Sequence, residues 1–89
     1  MTIEELVKAD KEKRAIFGAD RTLKALRNGE VNEIFISSDC PANIVKLIES
    51  LTKLSEVALT KLKENSEEFS ILVKKPFSIA VASIKRKKG

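Results

Sequence analysis

The chain has 89 residues, 43% of them hydrophobic and 34% charged, enough for one globular domain and too few for a second independent core. It has no His and a single cysteine, Cys40, so an intramolecular disulfide, a Ser-His-Asp triad and the commonest zinc sites are excluded by composition. Net charge is +4 and unevenly placed, with seven basic and eight acidic side chains in residues 1–44 against ten basic and five acidic in 45–89; such a basic half suits a polyanionic partner.

In chain order, residues 3–15 predict a first helix with Ile3, Leu6, Val7 and Ala15 as apolar positions. Glu4 and Glu5 stand early and Lys11, Lys13 and Arg14 late, the polarity a helix dipole favours. Phe17-Gly18 breaks the pattern, and Asp20 can cap a second helix that stops at Asn28-Gly29. Ala19, Leu23 and Leu26 share one side of it, while Arg21, Lys24 and Asn28 form a basic stripe on another. Ile34-Phe35-Ile36 has the wholly apolar character of a buried central strand. After the turn Ser37-Ser38-Asp39-Cys40-Pro41, in which Cys40 is a small packing residue, Pro41 fits the first turn of a third helix. Its broad apolar face is Ile44, Val45, Leu47, Ile48, Leu51 and Leu54, with Lys46, Glu49 and Lys53 outside.

Glu56 to Leu62 could extend that helix or form a strand, and the alternation of Val57 and Leu59 favours the strand. Asn65 or Ser66 caps a short helix running through Val73, with Glu67 and Glu68 in its first turn, until Lys74-Lys75-Pro76 halts it. Phe77 to Ile84 alternates apolar and small residues as a closing strand, and 85–89 forms a basic tail, Lys85-Arg86-Lys87-Lys88-Gly89. Helices alternating with short buried strands imply an α/β sandwich around a small mixed sheet. Of the four aromatics, Phe17, Phe35, Phe69 and Phe77, most are expected in the core, which gives little support to single-strand stacking. No apolar run reaches the roughly 18–20 residues of a membrane span, and Met1-Thr2-Ile3-Glu4-Glu5 lacks the regions of a signal peptide, so a cytoplasmic protein without membrane association is expected. No constellation of paired catalytic groups is visible, which points away from an enzyme.

Three ordered segments, Phe17-Gly18-Ala19-Asp20-Arg21-Thr22-Leu23-Lys24, Ile34-Phe35-Ile36-Ser37-Ser38-Asp39-Cys40-Pro41 and Val73-Lys74-Lys75-Pro76-Phe77-Ser78-Ile79-Ala80, resemble the ribosomal L-seven-Ae / L-thirty-e superfamily of kink-turn RNA-binding proteins. The L-thirty-e branch is the most similar, and the likeness spans roughly residues 5–84. It implies a three-layer α-β-α sandwich with a mixed four-stranded sheet, a single RNA-binding domain over 1–84, and no cofactor, metal or catalytic residue. It also implies where RNA would bind. Gly18 would allow close backbone approach, the helix amides beside Asp20 and Arg21 would meet phosphate, and Lys24 would reach a guanine or phosphate. On the opposite side Lys74 and Lys75 would contact the RNA backbone, Leu72 and Val73 would pack against a flipped base, and Pro76 would hold the loop's shape.

Two departures from the family's pattern stand out. Asp20 and Arg21 occupy positions where the strongest kink-turn binders have Asn and Glu, and Phe69-Ser70 falls where relatives usually show a Gly. The function the resemblance implies is a structural RNA-binding protein, a large-subunit ribosomal protein or a paralogue. Its partner would be ribosomal RNA with a kink-turn, alongside other ribosomal proteins, and it would be monomeric when free and ribosome-associated in the cytoplasm. An archaeal source fits both the branch and a composition rich in Lys, Glu and Ile. Asp20 and the acidic first helix motivate an alternative, a protein-interaction module on the same fold; a component of a non-ribosomal ribonucleoprotein is another.

Overall fold

The computed structural model describes residues 3–54 and 57–86, ordered α1 (Ile3–Lys11), β1 (Ala15–Phe17), α2 (Ala19–Arg27), β2 (Val31–Ile36), α3 (Ala42–Leu54), β3 (Ala58–Lys61), α4 (Ser66–Leu72) and β4 (Val81–Lys85). The four strands form one mixed sheet in the order β1-β4-β2-β3, with β4 antiparallel to both β1 and β2 and β3 parallel to β2. The expected four-stranded α/β sandwich is therefore the observed one.

Side-chain alternation on β2 and β4 divides the core into two layers. On one face Phe35, Ala82 and Ile84 meet Leu6 and Ala9 of α1 and Phe69 of α4; on the other Val31, Ile34, Ile36 and Val81 meet Leu23 and Leu26 of α2 and Ile48 of α3. A shift in the β2–β4 register between Val31 and Glu33 brings Val31 onto the same face as Ile34 and Ile36, as a bulge does by changing the two-residue parity. Thr22 of α2 and Ser83 of β4, both fully buried, share a 3.2 Å hydroxyl–hydroxyl hydrogen bond that fixes α2 to the sheet. At the far end Asn65 and Glu68 form a reciprocal capping box on α4, and Asp39 accepts from the Ser66 amide and from the Ser37 and Ser66 hydroxyls. Those bonds, the one from Ser37 foremost, hold the Asp39 carboxyl below its ordinary range. Cys40 packs half-buried against the second layer, where burial and then the Asp39 charge push its thiol up.

Several expectations need correcting. The first helix stops at Lys11 and does not reach residue 15, because Arg14 N–H turns back to the Ala9 carbonyl at 2.7 Å and Lys13 takes a left-handed φ of 61°. The Arg14 bond, with Lys13 N–H to the Asp10 carbonyl, makes a Schellman ending, and a left-handed non-glycine residue costs roughly 1–2 kcal/mol. Ala15 then opens β1, a three-residue edge strand too short to show alternation. The closing strand begins at Val81 and not at Phe77; Ile79 N–H is drawn to the Ser66 carbonyl and Phe77 is 53% exposed. The apolar face of α3 is only partly covered by the described residues, with Ile48 buried but Leu54 86% exposed. Within the basic C-terminal segment Lys85 ends β4 and Arg86 donates to the Glu30 and Val31 carbonyls. Lys87, Lys88 and Gly89 lie outside the described residues, as do Glu56 of the expected third strand and Met1-Thr2 of the N-terminal segment.

Glu33, on the α1 face of β2, is 3% exposed, and its Oε2 finds no hydrogen-bond partner among the described residues. Burial, and then the charge of Glu5, push its carboxyl above the ordinary value; Lys8, Glu12 and Arg14 border the same recess. A raised folded-state value means the fold holds this proton more tightly than the unfolded chain does. The stabilisation is then present in acid and lost as pH rises from the ordinary carboxylate range through the raised value. Glu33→Gln should therefore gain stability relative to the parent as pH is raised from about 4 to about 7, in urea titrations at the two values. An equal difference at both would mean that Glu33 is solvated.

Candidate nucleic-acid interface

The junction of β1 and α2 is built by Gly18. Its N–H donates to the Val81 carbonyl at 2.8 Å, prolonging the β1–β4 ladder, and its carbonyl accepts the first helical bond, from Thr22 N–H at 3.1 Å. Its φ of 112° with ψ of 146° is a conformation essentially confined to glycine. Gly18 is thus the helix N-cap, and among the described residues no side chain caps α2. Asp20, expected as the cap, instead sits one residue inside the helix, where its charge suits the positive dipole end but satisfies no amide. Among the described residues no side chain bonds the leading amides of α2, donors of the kind that meet an anion at a helix start.

Arg21 and Lys24 are both exposed on α2. Together with Asn28 they border a hollow of about 380 Å³ against β1, to which Lys13 and Lys85 add two further cations and Glu30 one carboxylate. The sequence marks Lys85 only as part of a basic chain end suited to a polyanion and Lys13 only as a helix end; strand order brings the two together at this hollow.

The second half of the expected site follows α4. Lys74 is exposed and adopts a left-handed φ of 60°, closing α4 with bonds from its own N–H to the Ile71 carbonyl and from Lys75 N–H to the Ser70 carbonyl. Lys75 is turned inward. Its ammonium lies 3.0 Å from Asp10 Oδ2 and 4.9 Å from the centre of the Phe17 ring, on which it rests as a cation–π contact. That contact ties the Lys74–Pro76 loop to the residue preceding Gly18, so the two halves predicted from sequence adjoin. Pro76 is exposed, and Leu72, 46% exposed, borders an apolar depression with Ile3 and Val7 of α1. Val73 requires a correction: it is 2% exposed in the core with Leu6 and Phe69, so its side chain has no surface to offer a base. Directly after this loop Phe77 is a further exposed apolar residue, although alternation assigns it to the closing strand.

Among the described residues no group of three His, Cys, Asp or Glu side chains could hold a metal, and no helix is long and apolar enough to cross a membrane.

A family model described as "Ribosomal protein L7Ae/L30e/S12e/Gadd45 family" matches residues 1–89. Among curated proteins, the chain is 33% identical over 81 residues to the large ribosomal subunit protein eL30 of Methanosarcina mazei, covering 91% of this chain and 75% of that one. It is 34% identical over 67 residues to the eL30 of Archaeoglobus fulgidus, covering 75% and 73%. Two solved structures superpose with a TM-score of 0.82. One is a Bacillus halodurans protein of unknown function, 20% identical and covering 91% of this chain and 80% of that one. The other is the Giardia lamblia 15.5kD RNA binding protein, 18% identical and covering 93% and 69%. At these identities the two structures bear on the fold alone.

Proposed function

Because the chain belongs to the ribosomal protein L7Ae/L30e/S12e/Gadd45 family, we propose that it binds and stabilises a bent RNA helix of the kink-turn type as a ribosomal protein or a paralogue of one. The observation that carries this reading is the Lys75–Phe17 contact, which sets the uncapped start of α2 and the Lys74–Pro76 loop side by side. A sharply bent backbone can meet both at once. A straight duplex reaches them less easily, so shape is selected before sequence.

In this reading the α2 amides after Gly18 donate to a phosphate, while Lys24 and Arg21 hold a phosphate or a guanine edge. Asp20 accepts from a base amine or serves only the helix dipole. Lys74 contacts the backbone of the second strand, Pro76 stiffens the loop, and Phe77 and Leu72 offer apolar surface to an unstacked base. Lys75 and Val73 act from beneath, the first by pinning the loop and the second by anchoring it in the core. The protein performs no catalytic step, needs no cofactor and acts in the cytoplasm on the ribosome, with ribosomal RNA and neighbouring ribosomal proteins as partners.

Lys24→Ala should weaken binding to a kink-turn RNA by roughly tenfold, the scale of one good charged contact to nucleic acid. Adding Lys74→Ala should weaken it further. Lys75 is left intact because its loss would also release the loop. Filter-binding titrations check both variants, and unchanged affinity in the double variant would remove α2 and the loop from the interface.

A further inference from the structure

The hollow beside β1 holds more positive charge than kink recognition by α2 and the Lys74–Pro76 loop uses. Lys13 reaches it from the α1–β1 turn, Arg21 and Lys24 from α2, and Lys85 from the end of β4, opposed by the single carboxylate of Glu30. The ion pairs found among the described residues, Arg14–Glu12, Lys61–Glu49 and Lys75–Asp10, engage none of these four cations. β1 is an outer strand of the sheet, so the hollow opens sideways along a free margin and is not a closed pocket. Such a trough suits a chain of anions passing through better than one enclosed ion.

Backbone geometry supplies an independent reason to notice Lys13. The described non-glycine residues with positive φ are Lys13 and Lys74, and both stand at the left-handed position that ends a helix; after α2 the same position is filled by Gly29. Glycine is the low-strain choice there. Strain kept at a surface position is a reason to ask what the side chain does. Lys74 opens the loop that the proposed function sets against RNA, and Lys13 borders the hollow.

We propose that this hollow is a second stretch of the RNA interface, a track for consecutive backbone phosphates of the duplex stem that runs on from the kink, with Lys13 and Lys85 as its outer cations. The proposal rests on the reading that α2 faces RNA, and extends that surface from the helix start along its flank to the sheet margin. Each cation added along a phosphate run displaces counterions, so the track enters as salt-dependent affinity for a longer stem and not as base preference.

The test uses the full chain and its Lys13→Gly, Lys85→Gln variant, each titrated against a kink-turn RNA with a minimal stem and the same RNA with that stem lengthened by one helical turn. For the parent, lengthening should tighten binding several-fold and steepen the plot of log affinity against log salt, by about 0.9 for each additional phosphate neutralised. In the double variant the longer stem should bring little gain, while affinity for the minimal RNA stays within about twofold of the parent's. Lys13→Gly alone should melt at the parent's temperature or above, since it relieves a left-handed lysine. A parent that binds both RNAs alike, or a double variant that keeps the full gain, overturns the track and leaves the α2 and loop reading standing. A parent that binds neither RNA overturns both.

Discussion

Phe69→Ala is expected to lower the free energy of unfolding by about 3–5 kcal/mol, the range for removing a large aromatic from a packed interior. Phe69 is fully buried between α1 and the sheet, among Leu6, Ala9, Val73 and Ile79. A domain of this size has a total stability on the order of 5–15 kcal/mol, so the variant should lose between about a fifth and all of it. α4 directs Phe69 inward, while Ser70, also buried, satisfies its hydroxyl on the Glu67 carbonyl at 2.6 Å. Urea or thermal unfolding measures the effect, and a loss below about 1 kcal/mol would show that α4 packs on the sheet by other contacts.

Gly18→Ala should affect stability and RNA binding by separate routes. At φ 112° and ψ 146° an L-residue carries strain of roughly 1–3 kcal/mol, although a Cβ there would meet no atom within 4 Å. The stability loss is therefore conformational and not steric. Under the proposed function the RNA backbone would approach the α2 amides through this space, and the methyl group would intrude on it. Binding measured where the variant is fully folded should fall by more than tenfold, the scale of losing one charge-assisted contact of about 1.5–3 kcal/mol. Full affinity in a destabilised variant would mean that RNA does not approach this glycine closely.

How legible this molecule was in its sequence depended on how much each element relies on local pattern. α2, α3 and α4 declare themselves through period, caps and stops: Asn28-Gly29 ends α2 and Asn65 with Glu68 starts α4. β2 is readable because it is buried on both faces. β1 is not, because three residues cannot display a period and their strand character comes from pairing with Ala82, Ser83 and Ile84, 65 to 69 residues later. The extent of β4 was overestimated for a related reason. Phe77 to Ala80 alternates as a strand would, yet the Ile79 amide is engaged with α4 and Phe77 faces outward.

The candidate interface divides in the same way. Gly18, Arg21, Lys24 and Lys74 are candidates that local motifs and the family likeness single out, and the fold leaves Arg21, Lys24 and Lys74 exposed. The outward turn of Phe77, the inward turns of Val73 and Lys75, and the convergence of Lys13 and Lys85 on α2 all depend on tertiary placement. A burial pattern along one helix cannot say which neighbour covers it, and charge read along the chain cannot say which cations share a hollow.

The most direct test of the central claim is a titration of the protein against a short kink-turn RNA and a control in which the tandem guanine–adenine pairs are replaced by Watson–Crick pairs, at two salt concentrations. Shape-selective recognition through α2 and the Lys74–Pro76 loop predicts binding to the kinked RNA stronger by roughly 4 kcal/mol or more, a margin that persists at the higher salt. Equal affinity for both RNAs, falling steeply and in parallel as salt rises, would contradict it and reduce the interface to an electrostatic surface without selection for the bend.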